Sequence, residues 1–222
     1  MAANNSSAED VQNWILQKSG TFDNQAAQDA ASTLQDWNNK GYMPEGVNAV
    51  DASTALSRFC NGEGLFFPSG NWNLDTVAKA LGDDVQFFAF PGATSEDEPN
   101  VAANAGAFYG IPVNAKNRDA AAAFLDYAQS AEAQQIIVDN SGYLPKSSTS
   151  DLKANSALQQ SMFDAYADVL MSGHTSDFIN NATAGMQSSG LIPNFQLLLD
   201  NSITPQEFTK NVQAQYDKEA KQ

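Results

Sequence analysis

The chain has 222 residues, 42% of them hydrophobic and 10% aromatic, with 11 Lys and Arg against 26 Asp and Glu, one His, one Cys and a formal charge of -15. That composition is globular, not disordered, and its acid excess repels phosphate backbones and anionic lipid, which excludes a basic-patch function on nucleic acid or membrane surfaces. No apolar run reaches the roughly 20 residues needed to cross a bilayer, and Cys60 with His174 can supply neither an intrachain disulfide nor a structural zinc site.

In chain order, Ala8 to Ser19 predicts a short helix and Gly20 to Asn24 a turn. Ala27, Ala30, Ala31, Leu34 and Trp37 recur at helical spacing from Gln25 to Lys40, and Gly41 closes that helix. Asp51 caps another, with Ala52, Ala55, Leu56 and Phe59 on one face and Gly62 at its end. Leu65 to Pro68 is a short apolar run that predicts a strand, followed by the Ser69-Gly70 turn. Asn71-Trp72-Asn73 then leads into a helix carrying Leu74, Val77, Ala78 and Leu81, with Asp75 in its first turn and Gly82 beyond it. Val85 to Phe90 predicts a second strand. Ala93 to Asn104, with Glu96-Asp97-Glu98, reads as an acidic surface loop, and Gly106 to Val113 as a third extended stretch. Asn117 caps a helix bearing Ala121, Phe124, Leu125 and Ala128, and Ser130 opens a further one toward Asn140. Gly142-Tyr143-Leu144-Pro145 breaks the pattern. Leu152 to Met171 is helical, and the closing helix begins with Thr204 at N-cap, Pro205 at N1 and Glu207 at N3. So many helices against three short strands mean either a minor sheet or a sheet whose strands lie mostly elsewhere.

Chemistry is narrowed by exclusion. No Gly-x-Ser-x-Gly elbow accompanies His174, which reads as a loop residue, so a Ser-His-Asp triad is not expected. Cys60 reads as a small helix-packed hydrophobe. Neither a Walker loop nor a Gly-x-Gly-x-x-Gly turn is present, and no nucleotide, metal or other cofactor is expected. The carboxylate groups Asp83-Asp84 and Glu96-Asp97-Glu98 lie in polar turns and read as solvated charge, although a hydrolase needs only two acids roughly 5 to 9.5 Å apart. Trp72 is the residue that points to a ligand. It follows Gly70 and precedes a helix N-terminus, so an indole, free backbone N–H groups and the amides of Asn71 and Asn73 are offered together. A pyranose matches that set: its C–H face packs on an indole and its hydroxyls need planar amides. The competing local reading is a hydrophobic staple of Trp72 on Val77. The 21 Asn, 17 Gln, 20 Ser and 10 Thr outnumber the charged residues and suit neutral hydrogen bonding. Phe108 and Tyr109 end an extended stretch, and only one of two neighbours on a strand can face a given ligand.

Three stretches in order resemble one family. Phe59 to Trp72, with Phe59, Gly62, Gly70 and Trp72, resembles the "F-x-x-G-x-A-x-M-x-x-x-G-x-W" block of extracellular solute-binding proteins of the maltose-binding type. Ala107 to Gln134, with Lys116-Asn117, Phe124-Leu125, Ser130, Glu132 and Gln134, resembles their "S-K-N-x-x-A-A-x-x-F-L-x-F-L-x-S-x-E-x-Q" block, and Gly142 and Pro145 match the "G-x-x-P" that follows. Departures fall at Gly64, Leu65 and Ala115.

The resemblance implies an α/β fold, the mostly helical C-terminal part of a periplasmic-binding-protein-like, type II clamshell with few short strands. It implies a non-catalytic protein that binds a sugar between two lobes and delivers it to the permease subunits of an ABC importer. In the complete protein it implies a monomer, and outside the cytoplasm a cell-surface lipoprotein or periplasmic location, although the N-terminal residues here carry no export signal. Gly70 and Trp72 take the family's Gly-x-Trp positions, with Asn71 between them, and Tyr109 falls near a cleft-facing region. By family topology residues 1–90 and 115–222 form the C-terminal lobe, and residues 91–114 cross to an N-terminal lobe whose remainder is absent from this chain. A carbohydrate-active hydrolase, a binding protein for a non-sugar solute and a helical interaction module are the alternatives.

Overall fold

The computed structural model describes residues 6–92, 99–103, 109–141 and 152–220. They divide into two compact units. One comprises Met1–Val50, Ala89–Asn104 and Val169–Gln222, and the other Asp51–Phe88 and Ala105–Asp168.

The first unit is built on helices Ala8–Ile15, Gln25–Asn39, Ile192–Leu199 and Pro205–Ala220. Ser7 and Asn24 cap the first two, their side chains accepting from the N–H groups of Asp10 and Ala27, which satisfies donors that the helix cannot. The small face of Ala27, Ala30 and Ala31 lets Gln25–Asn39 bury closely. Trp14 joins the two ends of the chain: its ring stacks on Tyr216 at 4.6 Å and lies 5.1 Å from Phe22. Its indole N–H donates to Gln213 Oε1 at 3.1 Å, an oxygen that also accepts from the Phe22 N–H at 2.7 Å, while the Tyr216 hydroxyl donates to the Trp14 carbonyl. No polar edge of the aromatic core is therefore wasted. Phe208, Val212, Met186 and Leu198 complete it.

A π-helix, Met186–Leu191, runs straight into Ile192–Leu199. Pro193 brings no N–H to this junction, and the Asn194 side-chain amide donates to the Gly190 carbonyl at 2.7 Å. A two-strand parallel pair, Val101–Ala102 with Thr175–Ser176, pairs Val101 with Thr175 and Ala102 with Ser176.

The second unit packs Ala52–Cys60, Leu74–Leu81, Arg118–Ala128, Ala131–Asn140 and most of Ala157–Ser172. Its core is Leu74, Val77, Leu158 and Met162, with Leu56, Phe59, Cys60, Leu81, Val85, Phe87 and Tyr166 against them. Gln159 is fully buried yet paired: it donates to the Val138 carbonyl at 2.9 Å and accepts from the Asn155 N–H at 2.8 Å, tying two helices together. The Ser161 hydroxyl accepts from the Phe87 N–H at 2.9 Å and anchors the Val85–Phe90 segment.

The helices expected from periodicity and caps are present, with ends trimmed: Ala8–Ile15 stops short of Ser19, and Ala157–Ser172 starts later than Leu152. The expected strands are corrected. Leu65–Pro68 and Val85–Phe90 form no ladder, and Leu65 and Phe66 are 89% and 74% exposed. Residues 109–113 are not strand either. A strand exists only through a second strand's ladder of hydrogen bonds, and the ladder found among the described residues does not include these segments. The pair that does form uses Val101–Ala102, inside the stretch expected to be loop, and Thr175–Ser176, where no strand was expected. The acidic run Glu96 to Glu98, the start of the Gly106–Val113 stretch and Gly142 to Pro145 lie outside the described residues.

Candidate functional site

Residues 69–75 form a short platform on the second unit. Asn71–Asn73 is a 3-10 turn continuous with the helix Leu74–Leu81, and the Asn73 N–H donates to the Gly70 carbonyl at 3.2 Å. Leu74 and Val77, 5% and 6% exposed, pin this turn to the core. The Asn73 amide donates to Ser69 Oγ at 2.9 Å and does not cap the helix. Gly70 is extended, at φ -134 and ψ -179, a conformation open to any residue, so its role is spatial. A Cβ here would lie 2.3 Å from Trp72 Cζ3, 2.4 Å from Cη2 and 2.8 Å from Cε3. The benzenoid ring of Trp72 thus lies directly against the Gly70 backbone. With that support the indole is still 52% exposed. A flat aromatic surface braced from one side on a fixed turn can stack on a ligand with little loss of side-chain freedom.

Of the residues singled out from sequence, Gly70, Asn71 and Trp72 share this turn. Tyr109 stands on a separate segment of the same unit and is 64% exposed. A feature missed by sequence reasoning is the exposed aromatic pair Phe66 and Phe88, edge to face with centroids 6.2 Å apart. Both fall inside segments whose composition predicts strand, and strand patterning carries no sign of which face lacks cover.

The other candidates find ordinary roles. Asp83 and Asp84 occupy an exposed 3-10 turn, Gly82–Asp84. Cys60 is half-buried against the core of the second unit, as a small hydrophobe is expected to be. His174 flanks the parallel pair, its carbonyl accepting from the Val101 N–H at 3.0 Å, and its Nδ1 is buried without a hydrogen bond. Among the described residues, no group of three or more His, Cys, Asp or Glu is placed to hold a metal ion.

The Gly-x-Trp platform lies in a region that a family profile recognises. The profile described as bacterial extracellular solute-binding protein matches residues 2–163. This chain belongs to the bacterial extracellular solute-binding proteins. Two solved structures share the fold of this solute-binding protein, each at 18% identity: a chitin oligosaccharide binding protein, with a TM-score of 0.81, covers 99% of the chain, and a protein from work on xylan utilisation by the thermophilic bacterium Caldanaerobius polysaccharolyticus, with a TM-score of 0.76, covers 96%. The chain spans 55% and 56% of their lengths, about half of each. Comparison with curated proteins yields no match. The mostly helical, periplasmic-binding-protein-like architecture expected from the sequence is therefore the one observed. The family is one of extracellular binding proteins, in keeping with an extracytoplasmic place of work, and no helix among the described residues is long and apolar enough to cross a membrane.

Proposed function

We propose that this solute-binding protein captures a sugar, specifically an oligosaccharide, for an ABC importer, with Trp72 as the stacking platform and Asn71 beside it as a neutral hydrogen-bonding group. Trp72 lying on Gly70, half exposed on a rigid turn, is the observation that carries this reading. The chitin oligosaccharide and xylan-related neighbours support a carbohydrate over another solute. In the full-length protein the ligand is held between this platform and a second lobe. Tyr109 lines the same cleft. The protein performs no reaction on the sugar; closure around it presents the complex to the permease.

In the full-length protein, Trp72→Ala is expected to abolish the sugar-induced change in tryptophan fluorescence and to weaken binding by about five-fold or more, since a stacked aromatic platform contributes on the order of 1–3 kcal/mol. Calorimetric titration with neutral chito- and xylo-oligosaccharides measures this. Identical titration curves for Trp72→Ala and wild type return the residue to a packing role.

A further inference from the structure

We infer that the outer face of the helix Arg118–Ala128 is an interface with the second lobe of the full-length protein, docking on an apolar surface contributed by sequence outside these 222 residues. Of the reading above the inference uses only the second lobe, and it holds whatever solute is bound.

The helix is under-supported by its own unit. None of its 11 residues is buried, and the Asn117 side chain makes no capping hydrogen bond. None of the ion pairs among the described residues involves it. An isolated helix of that length is marginal in water even when rich in alanine. Ala121, Leu125 and Ala128 form one half-buried stripe, while Ala120, Ala123, Phe124 and Tyr127 recur at i, i+3, i+4 and i+7 as a second stripe that is open to solvent. Phe124 is 65% exposed and Tyr127 48%. At 3.6 residues per turn the two stripes take up more than half the circumference, wider than the face of about 100° that one core requires. The charges, Arg118, Asp119 and Asp126, share the remaining sector. That is the pattern of a helix packed between two layers, of which its own unit supplies one.

Two observations and the character of the face choose the occupant. Nearly all of this chain aligns with the two solved relatives, yet it accounts for only about half of their lengths, so a large body of further polypeptide accompanies this fold. A formal charge of -15 opposes a second copy. Permanent contacts are the more apolar ones, so an uncharged aromatic stripe suits a fixed lobe better than a permease that binds and releases.

The full-length protein tests this without sugar. By hydrogen exchange, the wild-type amides of Arg118–Ala128 are expected to be protected at least about 100-fold over unstructured peptide. Phe124→Asp, which drives a charge into the interface, is expected to lower the thermal midpoint by about 5 °C or more, and Ala122→Gln, in the charged sector of the same helix, to leave it within about 2 °C. Unprotected amides along the wild-type helix overturn the inference. So does a folded Phe124→Asp protein that melts with Ala122→Gln, because the stripe then faces solvent and is free for a permease or a second copy. The exchange measurement needs no variant and decides the matter if Phe124→Asp does not fold. Both readouts are independent of the solute, so a failure of the sugar reading leaves them unaffected.

Discussion

Gly70 shows how one residue can be required for what it lacks. Its backbone angles suit any amino acid, but the indole of Trp72 occupies the space of its side chain. Gly70→Ala is expected to swing the indole off the turn. Because Trp72 is half exposed, the change in global stability should stay within about 0.5 kcal/mol, while sugar affinity in the full-length protein falls by about ten-fold; chemical unfolding and calorimetry read the two separately, and a parallel loss of both would place Trp72 in the core instead. The Gly-x-Trp spacing was legible in the sequence because it is a local signature. What the indole rests on was not legible, since sequence alone balanced a sugar platform against a staple on Val77.

At the scale of elements, local signals carried the helices. The closing helix is the clearest case: the Thr204 hydroxyl accepts from the Glu207 N–H at 3.2 Å, and Glu207 Oε2 accepts from the Thr204 N–H at 2.8 Å. Thr204→Ala is expected to cost about 1 kcal/mol in thermal or urea unfolding. The Thr204 N–H, and then its hydroxyl, hold the Glu207 carboxyl below its ordinary value of 4.5. A folded-state value lowered in this way means that the box stabilises fully above the unfolded-state value and loses its contribution as pH falls through the folded one. Stability measured from pH 6 downward should therefore decline less steeply in Glu207→Gln than in wild type, and coincident profiles would remove the carboxylate from the box. Strands were less legible. Leu65–Pro68 and Val85–Phe90 have the composition of strands, yet pairing is a property of two segments. The ladder that forms joins Val101–Ala102 to Thr175–Ser176, whose sequences, Val-Ala and Thr-Ser, are too short to announce it. The π-helix at Met186–Leu191 was equally silent, although Pro193 and Gly190 mark where ordinary helical bonding is interrupted.

Across the whole chain, two separate cores serve two compact units. The first is closed by Trp14, which brings a helix near the N-terminus against the last helix through Tyr216 and Gln213. At 3% exposed, Trp14 is a residue whose truncation to Ala is expected to cost about 3–5 kcal/mol, measured as a lowered denaturation midpoint, because a large cavity is left and Gln213 loses its indole donor. A shift near zero would mean that the two ends are held together by other contacts. Of the three indoles, Trp14 is buried, Trp37 is half-buried beside Phe90 and Trp72 is the most exposed, so fluorescence is a suitable reporter of a stacking ligand. By itself the sequence determined the helices, their caps, the acidic and amide-rich surface and the Gly-x-Trp signature of the family, since each is set by residues within a few positions of one another. Only the tertiary structure decided which apolar segments pair as strands, that helices near the two chain ends share a core, and that the indole lies on Gly70. Those outcomes depend on partners distant in sequence and on the space one side chain leaves for another.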